Sequence, residues 1–300
     1  VNGATLAYRE EGEGEPVVFV HGSADDLRSW DQQLPAIGAS YRAIAYSRRY
    51  ARPNEDIAPG VDDQTLPHVD DLVAFLRVMG AAPAHLVGHS WGGLISLVAA
   101  IRHPQVVRSL VLQEPPVLSL VMSVPPRSRE LLRLLVRRPG TAFVILSFAV
   151  KTWTPTQKAF RRGDDEAAMQ TFGCGLLGKE TYERLPQERK QQAFENARAV
   201  RAQVLGAGFP PLNEDHVRGV QAPTLLMTGE RSPPYLPRLT DRLQQQLPKA
   251  ERVKIAAASH LMNEENPGAV NDAILGFLAG HVPSVRSHDP EEASNAPISR

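Results

Sequence analysis

The strongest constraint on the fold is a rhythm of short apolar runs and helical patterns that stops in mid-chain and then resumes. Over the first 115 residues, apolar or β-branched runs at 4–9, 17–20, 42–46, 85–87 and 109–113 each end in a turn or a glycine. Between them Leu72, Val73, Phe75, Leu76 and Met79 recur at helical spacing, as do Leu94, Ile95, Leu97 and Val98. The rhythm returns with strands predicted at 224–228 and 252–256 and helices at 236–247 and 267–279. Strands alternating with helices of this length predict an α/β fold, a parallel sheet covered by helices on both faces.

The interruption has its own character. Residues 119–217 hold helical runs at 127–138, 156–172 and 180–205 and no convincing strand. Pro-Pro pairs at 115–116, 125–126 and 210–211 stand at or near its edges, where the chain should change direction. The pattern predicts a core of residues 1–118 and 218–280, a helical cap (lid) at 119–217 and a flexible C-terminal tail at 281–300.

Composition bounds the function. A chain of 300 residues, 42% hydrophobic and 22% charged, is globular. At this size roughly 75% of the unfolded surface is buried on folding. Lys+Arg and Asp+Glu balance at 33 each, so no net field draws nucleic acid or anionic lipid, and neither is expected as a partner. A bilayer span needs roughly 18–20 apolar residues. The longest apolar stretch, 142–150, is half that and contains Ser147, so stable membrane insertion is not expected. The start of the chain lacks the basic and apolar regions of a secretory signal, and a soluble, cytoplasmic protein is the reading. Cys174 is the one cysteine and forms no intrachain disulfide. No paired Cys/His spacing and no H-E-x-x-H suggests a metal, and no cofactor is expected.

Two local sequences carry chemistry. Gly88-His89-Ser90-Trp91-Gly92 is a G-x-S-x-G run between the predicted strand at 85–87 and the helix at 94–101. Small residues two before and two after the serine let the backbone turn sharply, so that its hydroxyl stands exposed at the end of the sheet. Val20-His21-Gly22-Ser23 closes an apolar strand and opens a loop. Acyl transfer needs backbone N–H groups aimed at the oxygen that becomes negative. Trp91, the residue after the nucleophile, supplies one such donor, and Ser23, following Gly22 on the neighbouring loop, is the candidate for the other.

With these pieces the chain resembles the α/β-hydrolase superfamily, over about residues 4–280. The resemblance implies an eight-stranded, mostly parallel sheet, a helical cap after the sixth strand and a triad in the chain order Ser, acid, His. It implies Ser90 as nucleophile and, as base, a late histidine in the loop after the last strand, which is His260 in Ala258-Ser259-His260-Leu261-Met262. An imidazole pKa near 6.5 suits proton removal from serine and its return to a leaving group. His21, His85, His89, His103 and His281 are read as structural or peripheral. The acid usually follows the seventh strand, but there Ser232 fills the slot in Gly229-Glu230-Arg231-Ser232-Pro233. Glu114, after the apolar run ending at Gln113, offers a carboxylate on the same edge as Ser90, a position that some members of the family use. Glu114 is the favoured acid, with Glu230 and other carboxylates such as Asp241 as alternatives.

Other signals are set aside. Gly173-Cys174-Gly175-Leu176-Leu177-Gly178 matches a dinucleotide fingerprint but follows a helical pattern rather than a strand, so it reads as a helix end and turn. Cys174 reads as a small core residue. The helix at 127–138, with five arginines, reads as a cap helix whose leucines cover a pocket and whose arginines face water, rather than as a membrane-surface helix. The resulting expectation is a serine hydrolase of a small apolar carboxylic ester or lactone, with Phe143, Phe148, Phe160 and Phe172 among the apolar cap residues. Ser90 stands where related dehalogenases and epoxide hydrolases carry aspartate, which argues against those two chemistries. Carbon–carbon hydrolysis, amide cleavage, peracid formation, or a ligand-binding protein with an idle site are the alternatives on the same scaffold.

Overall fold

The computed structural model describes residues 1–123 and 127–281. The proline pair at 125–126 and the predicted tail beyond His281 lie outside the described residues. One sheet contains β1 (Tyr8–Glu11), β2 (Pro16–Val20), β3 (Arg42–Tyr46), β4 (Ala84–His89), β5 (Val107–Gln113), β6 (Thr224–Gly229) and β7 (Ala250–Ile255), in the order β1-β3-β2-β4-β5-β6-β7. β1 runs antiparallel to β3, and every other neighbouring pair is parallel.

Three α-helices precede β5: α1 (Leu34–Gly38), α2 (Thr65–Val78) and α3 (Trp91–Arg102). Between β5 and β6 lie α4 (Ser128–Arg137), α5 (Pro139–Phe148), α6 (Thr154–Arg161), α7 (Asp165–Leu177), α8 (Lys179–Arg184), α9 (Gln187–Glu195), α10 (Ala197–Leu205) and α11 (Glu214–Arg218). After β6 come α12 (Tyr235–Gln244), α13 (Met262–Glu265) and α14 (Pro267–Ala279). Among the described residues no helix is long and apolar enough to cross a membrane.

The central strands read as continuous apolar runs because both of their faces are covered. Alternate residues go to opposite sides. Val18, Val20, Leu86, Leu110, Leu112 and Leu226 pack with Leu72, Leu76, Leu94, Leu97 and Leu239 of α2, α3 and α12. Val17, Phe19, Val87, Val111, Leu225 and Met227 pack with Trp30, Ile37, Ile274 and Phe277 on the other face, beside α1 and α14. A third, smaller cluster has Phe160, Met169, Phe172, Val200 and Val204 from α6, α7 and α10.

Three expectations are corrected. The resemblance implies eight strands, and the described residues form seven, the number of apolar runs in the sequence. The first pairs only from Tyr8. Ala7 N–H donates to Asn54 Oδ1 (2.8 Å) and its carbonyl accepts from Ser47 N–H (2.9 Å), tying it to the loop after β3 instead of to a further strand. The helical segment therefore follows the fifth strand of this chain. Second, the long helix expected at 156–172 is two helices, because Gly163 takes a positive φ of 79° and Asp164 caps α7 by accepting from Ala167 N–H (3.1 Å). The helix expected at 180–205 likewise breaks at Pro186 and Asn196 into α8, α9 and α10. Third, the leucines of α4 do not all face inward. Only Leu134 is fully buried, while Leu132 and Val136 are 64% and 73% exposed among the arginines.

Candidate active site

Ser90, Glu114 and His260 lie at the carboxyl edge of the sheet, where strands hand over to loops and α/β folds bind their ligands. Ser90 forms the corner between β4 and α3, at φ 51° and ψ −120°. An L residue holds that conformation only where its surroundings over-determine it. Here Ser90 N–H donates to the Gln113 carbonyl of the adjacent strand (2.8 Å). The flanking glycines are demanded by close approach. A Cβ at Gly88 would lie 2.6 Å from both the Gly92 carbonyl oxygen and Gly93 Cα, and one at Gly92 would strike the Val20 carbonyl.

Glu114, just past β5, also takes a positive φ, 48°. Its N–H donates to the Met227 carbonyl (3.2 Å), which extends the ladder one residue past β5 and turns the fully buried side chain inward. Oε1 accepts from Gly229 N–H (3.1 Å), and Oε2 accepts from His260 Nδ1 (2.7 Å). That bond puts the proton of neutral His260 on Nδ1 and leaves Nε2 basic. Burial pushes the His260 pKa below the usual 6.5, against the opposing pull of the Glu114 hydrogen bond. Nε2 makes no hydrogen bond to Ser90 or to any other described residue, yet Ser90 and His260 line one cavity. Such bonds often tighten only when substrate is bound.

The alternative acids point elsewhere. Glu230 is exposed and accepts from Ala257 N–H (2.9 Å), and Asp241 pairs with Arg252. Ser232 Oγ is buried without a partner among the described residues.

Gly22 lies against the corner: a Cβ there would be 3.0 Å from His89 Nδ1 and 3.1 Å from Ser90 Cβ. The Gly22 carbonyl accepts from Arg48 Nη2 (2.8 Å) and His21 Nδ1 (2.9 Å). Arg48 Nε also donates to the His21 carbonyl (3.1 Å), and the guanidinium stacks 4.4 Å above the Trp91 ring. In a trans peptide the C=O and N–H point in opposite directions, so these two donors turn the Ser23 N–H away from Arg48. The Trp91 N–H begins α3, where no carbonyl of the same helix can receive it. His21 accepts from Arg48 N–H through Nε2 (2.9 Å), and burial together with Arg48 brings its pKa down to about 3.

A buried ionic chain ties this loop to the helical segment. His89 Nε2 donates to the His260 carbonyl (2.8 Å), and its Nδ1 lies 3.5 Å from Asp25 Oδ2. Asp25 pairs with Arg189 of α9, which also reaches Glu264 of α13 (2.8 Å). Arg48, Asp25 and Arg189 escape sequence reasoning because none belongs to a motif. The available signal was Arg48-Arg49, two charges just past an apolar strand.

Two cavities meet at Ser90, and Ser23, Phe172 and Leu176 line both. One, about 520 Å³, is bounded by His260, Leu261 and charged residues of α7 to α9. The other, about 420 Å³, is bounded by apolar side chains of α5, α10 and α12 and by Trp153, which sits on the π turn Ala149–Trp153 joining α5 to α6. Of the phenylalanines expected near substrate, Phe148 and Phe172 line a cavity. Phe143 is instead 72% exposed and Phe160 is buried among the helices, because they fall on other faces of α5 and α6. Gly173 and Gly175 lie inside α7 and Gly178 just past its end, with φ 85°. Cys174 is half-buried, and burial raises its thiol pKa.

Known proteins agree with this architecture. The family model described as the alpha/beta hydrolase fold matches residues 15–267. The rat (Rattus norvegicus) bifunctional epoxide hydrolase 2 is 24% identical, over 95% of this chain and 56% of the relative. The chain thus spans about half the length of the bifunctional epoxide hydrolases that it matches. A thermophilic esterase from Thermogutta terrifontis superposes with a TM-score of 0.72 at 23% identity, covering 93% of this chain and 95% of that one. An enol-lactonase from Burkholderia xenovorans gives 0.59 at 21% identity, covering 93% and 98%. With the family model covering most of its length, this chain belongs to the α/β-hydrolase fold family.

Proposed function

We propose that this protein is a serine hydrolase that cleaves a carboxylic ester or lactone of an apolar small molecule through an acyl-enzyme, with residues 119–217 as a cap over the site. His260 Nε2 takes the proton of Ser90 as Oγ bonds to the carbonyl carbon. The Ser23 and Trp91 amides receive the oxyanion. His260 returns the proton to the leaving oxygen as its bond to carbon breaks. A water then gives its proton to His260 and bonds to the acyl carbon, and Ser90 leaves with that proton. Glu114 orients His260 and stabilises the imidazolium.

The observation that carries this reading is the 2.7 Å hydrogen bond from His260 Nδ1 to a buried Glu114, beside the cavity that Ser90 lines. Ser90 at the corner also favours acyl transfer over the aspartate chemistry of epoxide hydrolases and dehalogenases. Likeness to an esterase and an enol-lactonase supports the bond type.

Labelling with a serine-directed phosphonate tests it. Strong labelling of the parent, absent from Ser90→Ala, is the expected result. Equal labelling of both removes Ser90 from its role. A panel of esters and lactones set against diketones and aminoacyl amides then tests the bond, with turnover confined to the first two expected.

A further inference from the structure

We infer that the two cavities divide the substrate by chemistry: the acyl group is apolar and enters the chamber beneath α5 and α12, while the leaving alcohol is polar and occupies the cavity beside His260. The inference rests on the acyl-enzyme reading and adds the orientation of the substrate.

The group that leaves must receive its proton from His260 Nε2, so the leaving oxygen lies on the histidine side of Ser90. His260 and Leu261 line the larger cavity and are absent from the walls of the other. The bond to be cut lies at Ser90, common to both. Whatever is attached on the far side of the carbonyl therefore points into the second chamber.

The walls differ as these roles require. Around the acyl chamber stand Ile145, Phe148, Trp153, Phe209, Tyr235 and Leu239. The Phe148 and Tyr235 rings lie against each other in that wall, tilted by 31° with centroids 4.2 Å apart. The leaving-group cavity carries Glu166, Glu183, Arg189 and Lys190 in the same lining as the histidine, among apolar side chains such as Met169, Leu177 and Phe194. Glu166 and Glu183 are exposed, so this side meets solvent. Water for the second half-reaction then arrives along the path by which the alcohol departs. The net change remains ester plus water to acid plus alcohol.

Two matched ester series test the orientation on the intact protein. With the leaving group fixed as p-nitrophenol, kcat/KM should rise about three- to fourfold per added acyl methylene from acetate to hexanoate. With the acyl group fixed as acetate, lengthening the alcohol from ethanol to hexanol should change kcat/KM by less than about twofold per methylene. Mono-octanoyl glycerol should be cleaved at least as fast as butyl octanoate. Leu239→Trp, which fills the acyl chamber, should lower the octanoate-to-acetate ratio. A steep alcohol series with a flat acyl series, or two flat series, overturns the inference and leaves the acyl-enzyme reading standing. Failure of every ester together with failure of phosphonate to label Ser90 removes that reading, and this inference with it.

Discussion

The carboxyl edge of the sheet and the helices between β5 and β6 solve different problems. At the edge, Ser90 and Glu114 both sit at positive φ, each pinned by a hydrogen bond to the next strand. Among the described residues, the only positive φ values between α4 and α11 belong to glycines. The helical segment instead presents large side chains on a modest core of its own and leaves Leu132, Val136 and Phe143 exposed. Reaction chemistry demands a backbone held against its local preference, which a buried parallel sheet can enforce. Selectivity demands only shape, which helices supply by side-chain choice.

The contrast predicts unequal sensitivity. The largest loss is expected at the corner: Ser90→Ala should lower kcat on the order of 10⁶-fold with unfolding unchanged, measured on an activated ester beside urea denaturation. Loss within tenfold would place the nucleophile elsewhere. Arg48→Met should cost about 10²–10³ in kcat with a smaller change in KM, because the Gly22–Ser23 peptide loses the charged donor that aims it. An equal effect on KM alone would make Arg48 a packing residue.

The ionic chain is where the two regions touch. Arg189→Met strands the buried Asp25 carboxylate and should destabilise the fold by about 3–5 kcal/mol by urea unfolding. In contrast Val136→Ser on the outer face of α4 should stay within about 0.5 kcal/mol. If the two variants unfold alike, the helical segment is not anchored through Asp25.

Acidity separates the regions as well. Burial holds the folded-state pKa of His260 below 6.5 and brings that of His21 to about 3. Between those values and 6.5 the unfolded chain binds more protons than the native one, so stability present above pH 6.5 falls as pH drops. For His21 the loss is about 1.4 kcal/mol per pH unit down to its folded value. The acid limb of kcat/KM should have its midpoint below 6.5, since His260 must be neutral to accept the serine proton. A midpoint above 7 in the pH–rate profile would contradict burial as the dominant influence.

The same contrast explains what the sequence reveals. β3 and α14 are legible to the residue, because a short continuous apolar run and helical hydrophobicity report burial directly. The corner at Ser90 is legible because glycine is forced there by contact with Val20 and Gly93. Glu114 is reached only through its place after an apolar run. The breaks at Gly163 and Pro186 were written in the sequence but masked by continuing helical periodicity on either side. Asp25 and Arg189 are illegible, since their meaning comes from partners up to 164 positions away, and Arg48 is marked only by the pair of like charges it forms with Arg49. The outward turn of Leu132 and Val136 is equally hidden, because spacing gives a helix its faces but not what it packs against.

The coupling of acid to base is tested most directly by comparing kcat for Glu114→Gln and Glu230→Gln on one ester. An amide at 114 can no longer stabilise the imidazolium, and a drop of about 10⁴-fold is expected, while the change at 230 should stay within a few-fold. Full activity in Glu114→Gln with collapse in Glu230→Gln would contradict the account.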